Sequence, residues 1–426
     1  MTILIFLGSL LAAMAIGVPI AYALLASGVA LMWHLDMFDA QILAQNTING
    51  ADSFPLLAVP FFMLAGEIMN VGGLSRRIVQ LALTLVGHKR GGLGFVAIVA
   101  ACLLAALSGS AVADTAALAS LLLPMMVAAG HDKPRAAGLI ASAGIIAPVI
   151  PPSIGFVVFG VAANLSISKL FLAGIVPGIL MGTSIALAWW WVARRENVQP
   201  PPKASLAERL HALKESTWAL VLPVIVVVGL KMGVFTPTEA AVVAAVYALF
   251  VSTVVYRELR WQQLQEVFIS AAKTTAVIMF LVAAAMVSAW LITVADIPRQ
   301  MVGLLKPFMG NQTLLLIAIM LLVMAVGTAM DMTPTILILT PVLVPVVKAA
   351  GIDPIYFGVL FIINNAIGLI TPPVGTVLNV VAGVGKMKMD DVTRGVVPFM
   401  IAQFAVMFLM VLFPAIVLVP MRWFTS

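Results

Sequence analysis

A chain of 426 residues, 63% hydrophobic and only 9% charged, has too little polar side-chain surface for a soluble globular domain of ordinary composition. It reads as an all-α polytopic membrane protein, because stretches of about 20 apolar residues recur along its length and leave no room for a separate soluble domain. The net charge of +6 does not indicate nucleic-acid binding, since Lys and Arg fall in short clusters between apolar spans, where they orient a membrane protein. Cys102 is the single cysteine, which excludes an intramolecular disulfide or a cysteine-rich metal site, and the four histidines all lie at polar ends of apolar runs.

From the N-terminus, residues 3–33 exceed one crossing and are interrupted at Gly17-Val18-Pro19, which predicts two short, tightly connected spans. The N-terminus lacks the basic region and cleavage site of a signal peptide and is expected to be retained. A span at about 53–70 leads to Leu74-Ser75-Arg76-Arg77-Ile78, the start of an amphipathic helix at the membrane surface that ends at His88-Lys89-Arg90. Residues 91–130 are apolar but cut by the polar tip Ser108-Gly109-Ser110, predicting two half-length helices that form a re-entrant hairpin. The helix over about 135–164 is broken at Pro148 and Pro151-Pro152-Ser153, because proline removes a backbone donor and blocks the helical turn. A span at about 170–193 follows, and residues 196–216 form a polar linker whose part from Leu206 to Leu213 reads as a helix resting on the cytoplasmic surface.

The second half repeats the first. Pro124 and Pro345 are 221 residues apart, and the same shift matches Pro151-Pro152 to Pro372-Pro373, Gly174 to Gly395 and Pro177 to Pro398. Spans at about 217–235, 237–255 and 270–295 lead to a second hairpin over about 313–351, with its tip between Gly327 and Thr333, and to a helix over about 354–385 broken at Thr371-Pro372-Pro373. The organisation is therefore a first repeat over 1–195, the linker 196–216 and a second repeat over 217–426. Five crossings between the hairpins make the second enter from the opposite face, so the repeats are inverted, and the positive-inside rule then places both chain ends outside.

Duplicated, interrupted apolar segments are the sequence pointer to a transporter's central binding site. At a helix break, carbonyls and hydroxyls offer hard oxygen ligands to a small cation, and free amides at half-helix N-termini favour a carboxylate. The candidate sodium ligands are Ser108, Ser110 and the backbone around Ala147 in the first repeat, and Thr328, Thr333, Gly368 and Thr371 in the second. For the solute, the candidates are Asp114, Asp331, Asn365 and Ser153. Asp114 and Asp331 lie at membrane depth, where a carboxylate is costly without a partner. The competing reading makes Asp331 and Thr333 caps of a helix beginning at Pro334, lets Asp114 settle a loop amide, and leaves Asn364 and Asn365 as interhelical glue. Gly383 to Lys386 lacks the spacing of a phosphate loop, so no nucleotide is expected to drive the chain by itself.

At Leu107-Ser108-Gly109-Ser110-Ala111-Val112-Ala113-Asp114, Ile150-Pro151-Pro152-Ser153-Ile154 and Gly368-Leu369-Ile370-Thr371-Pro372-Pro373-Val374-Gly375, the sequence resembles the large membrane subunit of tripartite ATP-independent periplasmic (TRAP) transporters. The resemblance covers essentially the whole chain. It implies an inner-membrane elevator with scaffold and transport domains, sodium-driven uptake of a carboxylate, a periplasmic binding protein that delivers the solute, and a small four-helix membrane subunit that braces the scaffold. Carried over by position, it implies one sodium site at Ser108, Ser110 and the break before Pro151, and a second near Gly368 and Thr371. Within the family, Asn49-Gly50-Ala51-Asp52-Ser53-Phe54 and Asp353-Pro354-Ile355-Tyr356-Phe357-Gly358-Val359 are most similar to permeases of the 2,3-diketogulonate type, a sugar acid, with C4-dicarboxylate-like acids as the related class. The rival reading is a stand-alone sodium-coupled anion transporter of related inverted-repeat design. An intramembrane enzyme is not expected, because Cys102 and the peripheral histidines do not make a nucleophile with its base.

Overall fold

The structure, a computed structural model, describes residues 2–196, 198, 200 and 202–425. The predicted linker thus has Asn197, Gln199 and Pro201 outside the described residues. Helices α1 (Thr2–Ala15) and α2 (Ile20–His34) flank the Gly17-Val18-Pro19 break as expected, with Gly17 in the left-handed region at φ 86°. Next come α3 (Ala40–Ala51), α4 (Ala58–Val71), preceded by a 3-10 turn at Phe54–Leu57, and the amphipathic α5 (Leu74–Val86). Helices α6 (Gly92–Ser108) and α7 (Ala111–Ala128) form the first hairpin, α8 (Lys133–Gly144) and α9 (Ile154–Ala163) are the two parts of the first broken helix, and α10 (Ile167–Ala193) ends the half.

In the second half, α11 (Leu206–Lys231), α12 (Pro237–Phe250), which runs into a π turn at Val251–Val255, α13 (Trp261–Val294) and α14 (Ile297–Leu305) precede the second hairpin. That hairpin is α15 (Gln312–Gly327) and α16 (Met332–Ala349), and its broken helix is α17 (Pro354–Gly368) and α18 (Thr376–Gly385). Helices α19 (Met389–Leu412) and α20 (Ala415–Thr425) close the chain. Among the described residues there is no strand, and eight helical stretches are long and apolar enough to cross a membrane.

The 221-residue offset is written into the helix boundaries. Helix α7 begins at Ala111 and α16 at Met332, and they end at Ala128 and Ala349, a difference of 221 at both ends. Helices α8 and α17 begin at Lys133 and Pro354, again 221 apart. Two elements differ from expectation. The surface helix from Leu206 and the span predicted from about 217 are a single helix, α11, because no glycine or proline interrupts residues 206–222 and Ser205 with Glu208 forms a capping box that starts it. Helix α13 also starts earlier than the predicted 270, immediately after Arg260.

Within a bilayer the hydrophobic effect does not drive helices together, so close packing of small residues and interhelical hydrogen bonds carry the association. Helix α8 meets α19 backbone to backbone, since the place of a Cβ on Gly138 is filled by the main chain of Gly395. The buried Gln403 of α19 donates to Met181 O and Ser184 Oγ of α10, both at 3.0 Å. Trp189 of α10 is fully buried and donates from its indole nitrogen to Gly91 O at 2.7 Å, which fixes the base of the first hairpin. Each hairpin packs across the molecule: α7 lies against α18 and α16 against α9.

Candidate functional site

The first hairpin turns at Gly109, which has φ 62°. That left-handed conformation suits glycine, and a Cβ there would also stand 3.1 Å from Ser153 Cα and collide with the Pro152 carbonyl, so the tip sits directly on the break between α8 and α9. Ser110 caps α7 by accepting from Ala113 N at 3.3 Å. Ser108 Oγ accepts from Ser110 N at 3.1 Å and donates to Asp114 Oδ1 at 2.5 Å. Asp114 is 2% exposed, and its Oδ2 has no partner among the described residues. A buried carboxylate with one oxygen unpaired costs several kcal/mol, so this position calls for a cation or a proton. Its single side-chain bond comes from a hydroxyl, and the loop-amide reading is not realised.

The break beside it is tightly organised. Ala147 is buried with its amide bonded to Gly144 O at 3.2 Å. Ser153 is fully buried, donates to the Pro148 carbonyl and accepts from Phe156 N at 3.2 Å as the cap of α9. Its hydroxyl is thus committed to holding the break, which explains why a serine follows the two prolines. Thr115, next to Asp114, fills the space that a side chain on Gly144 would take, and its buried Oγ1 is also unpartnered among the described residues. Sequence reasoning missed Thr115; its signal is a second polar residue beside a membrane-depth aspartate.

At the second junction, the Gly327 carbonyl lies 2.8 Å from where a Cβ on Gly368 would be, so only glycine allows α15 to meet α17 there. Val374 N donates to Thr328 O at 3.3 Å, a main-chain bond from break to hairpin tip. The hydroxyls of Thr328 and Thr371 return to their own helices, to Ala325 O and Ile367 O at 2.8 Å each, and Thr333 is half-buried in the first turn of α16. Asn365 is 2% exposed and donates to Phe361 O at 2.8 Å, while its buried Oδ1, beside Gly327, is unpartnered among the described residues. Asn364 does act as glue between helices, donating to Met320 O at 2.6 Å.

Asp331 stands at the N-cap of α16 but makes no capping bond. It is exposed and accepts from Thr376 Oγ1 of α18 at 3.3 Å. By the 221 offset, Asp331 corresponds to Ser110, Gly368 to Ala147, and Asp114 to Thr335, whose hydroxyl returns to Asp331 O at 2.8 Å. The two aspartates are therefore not repeat partners. The junctions themselves adjoin, since Met332 Sδ at the start of α16 lies 3.1 Å from where a Cβ on Gly155 of α9 would be.

Two hairpins whose tips rest on two broken helices, together with eight crossing-length helices among the described residues, define the architecture of an integral membrane transporter built from duplicated halves. The family model for the DctM component of tripartite ATP-independent periplasmic transporters matches residues 7–416. The chain is 60% identical over 423 residues, 99% of its length and 100% of the relative's, to the 2,3-diketo-L-gulonate TRAP transporter large permease protein YiaN of Escherichia coli (strain K12). It is 39% identical to the sialic acid TRAP transporter large permease protein SiaM of Vibrio cholerae, covering 93% of each chain. A crystal structure of the Alcanivorax borkumensis YdaH transporter shares the fold, with a TM-score of 0.65 over 88% of this chain and 89% of that one at 14% identity. The chain belongs to the DctM family of TRAP transporter large permeases. It is a multi-pass inner-membrane permease subunit and not an enzyme.

Proposed function

We propose that this chain is the sodium-driven permease subunit for a sugar acid of the 2,3-diketogulonate type, delivered by a periplasmic binding protein and supported by a small four-helix membrane subunit. The observation that carries the reading is the pair of buried, unpartnered oxygens, Asp114 Oδ2 at the first junction and Asn365 Oδ1 at the second. Each faces a tip-and-break junction whose neighbours are hydroxyls and carbonyls, and hard oxygens suit a small cation. Ser108, Ser110 and the Ala147 backbone would complete one sodium site; Thr328, Thr333, Gly368 and Thr371 would supply the other.

The solute is expected at the second junction, because Pro372, Pro373, Val374 and Asp331 are exposed while Pro151 and Pro152 are buried. There the N-terminal end of α18 offers a partial positive charge to the solute's carboxylate. Asp331, which would repel that carboxylate, suits the hydroxyls of a sugar acid. Ser153, committed to its own break, would act by shape alone. The two halves would lie inverted across the membrane and move as an elevator, with both hairpins carried against a scaffold built around α2, α4, α12 and α13. The share of each relative covered and the name of the 60% identical permease support the solute class.

The test is uptake of labelled 2,3-diketogulonate into proteoliposomes that hold this chain and its small subunit, with binding protein outside. Uptake that requires both an inward sodium gradient and the binding protein is expected. Transport by this chain alone would favour the stand-alone reading, and indifference to sodium would remove the cation sites.

A further inference from the structure

On the face that carries His88-Lys89-Arg90, helix α5 and the start of α11 enclose a cavity of about 790 Å³. Arg76 and Arg77 line it from α5, His88 from the turn after α5, Lys203 from the segment before α11, and His211 from α11. The acidic groups nearby already have partners. Glu258 receives Arg76 at 2.8 Å and Arg77 at 2.7 Å. Glu208 closes the capping box through Ser205 N at 2.6 Å, and Glu215 pairs with His211 at 3.3 Å. Arg76, Arg77, Lys203 and Arg209 outnumber those three carboxylates before either histidine is protonated. Arg209 Nε and Nη2 and His88 Nδ1 are shielded from solvent and unpartnered among the described residues. A guanidinium is always charged, and a buried charge without a counter-ion is costly. The local potential has a second signature: His88 is held below its ordinary pKa by burial first and then by Arg209, Lys203 and Lys89.

The depth of this cavity decides what kind of anion fits it. Trp218 is 42% exposed on α11, and Tyr256, which stacks under Arg77 at 3.7 Å, donates to Glu215 O at 2.6 Å. Such amphipathic aromatics gather at the level of the lipid headgroups. The opposite face of the same turns of α11 exposes Leu206, Leu210 and Leu213. The cavity therefore opens where acyl chains meet headgroups. We infer that the cavity between α5 and α11 binds the phosphate headgroup of an anionic phospholipid from the cytoplasmic leaflet, with Lys203 as a ligand in its lining. The charge of Arg209, felt at the lining residue His88, adds to its positive potential. A basic pocket between helices at that level has the chemistry to retain such a lipid. Occupation would tie α5, which leads directly into the first hairpin, to the start of the second half.

Native mass spectrometry of the full-length chain, taken from bilayers holding equal phosphatidylglycerol and phosphatidylcholine, tests this. Wild-type protein should retain phosphatidylglycerol over phosphatidylcholine by on the order of tenfold. The double variant Arg209→Gln, Lys203→Gln should bring the ratio close to one, while Lys386→Gln, Lys388→Gln, which removes equal charge elsewhere, should leave it unchanged. Thermal unfolding of both variants separates lost binding from lost fold, and if the first double variant does not fold, Lys203→Gln alone should still lower the ratio. Equal retention of the two lipids by wild type would overturn the inference. So would inorganic phosphate that binds with the same Arg209 and Lys203 dependence without any preference for phosphatidylglycerol. Loss of retained lipid when the small membrane subunit is added would also overturn it, since the cavity would then be a subunit contact.

Discussion

The two tip-and-break junctions share a backbone plan and differ in chemistry. In the first, tip and break are sealed: Pro151, Pro152 and Ser153 are buried, and Asp114 lies under the tip with Ser108 as its single side-chain partner. In the second, Pro372, Pro373 and Val374 are exposed, and the acid has moved to Asp331 at the helix cap, where Thr376 reaches it from α18. Duplication preserved the paired prolines of the two breaks, whereas the tip glycine Gly109 is matched by Met330 and the junction glycine Gly368 by Ala147. The polar groups set inside that shape diverged, so one junction is suited to hold an ion away from water and the other to meet a solute.

The largest expected effect tests the sealed junction. Asp114→Ala should lower sodium-driven uptake by roughly 100-fold, the equivalent of losing a charged ligand worth about 3 kcal/mol. Assembly with the small subunit should remain, because the variant removes a buried unpaired oxygen rather than a packing group. Uptake and gel filtration on the same preparation check this. An Asp114→Ala variant with near-wild-type uptake would mean that the first junction is structural and the comparison of the two junctions says nothing about ions.

Much of this architecture was legible because bilayer sequences have few ways to interrupt a helix. The 91–130 hairpin contains α6 and α7 over 92–128, and the 354–385 broken helix is matched by α17 and α18. Gly109 and the paired prolines carry backbone constraints that do not depend on distant contacts. The continuity of α11 was hidden by a change from polar to apolar composition, which alters the environment along a helix without ending it. Burial was hidden too. Asp114 and Asp331 look alike in sequence, each an acid within apolar surroundings, but Asp114 lies inside the first turn of α7 on its buried side and Asp331 precedes α16 at an exposed N-cap. Ser153 reads as a solute ligand from sequence, and the two hydrogen bonds its hydroxyl makes inside its own break are not legible there.

An intermediate effect is expected at Asn365, the group that brings buried polarity to the otherwise open junction. Asn365→Leu keeps approximate volume, removes the unpartnered Oδ1 and forfeits the 2.8 Å bond to Phe361 O within the same helix. The half-saturating sodium concentration should rise about tenfold, corresponding to roughly 1.4 kcal/mol for one neutral ligand, with solute affinity at saturating sodium little changed. A rise in the solute's half-saturating concentration with unaltered sodium dependence would reassign Asn365 to the solute.

The smallest effect separates a ligand from a cap. Ser153→Ala removes the acceptor for Phe156 N and the donor to the Pro148 carbonyl, both inside the first break. Loss of a helix cap costs about 1 kcal/mol, which should appear as a lower unfolding temperature of the purified chain. Solute affinity should stay within about twofold, since the hydroxyl is fully buried and has no lone group directed at the open junction. Asp331→Asn supplies the contrast: it keeps shape and the Thr376 contact, removes the charge at an exposed position, and should shift solute affinity while leaving the unfolding temperature in place. If Ser153→Ala weakens the solute as much as Asp331→Asn does, the first break opens during transport and the sealed state is only one stage of the cycle.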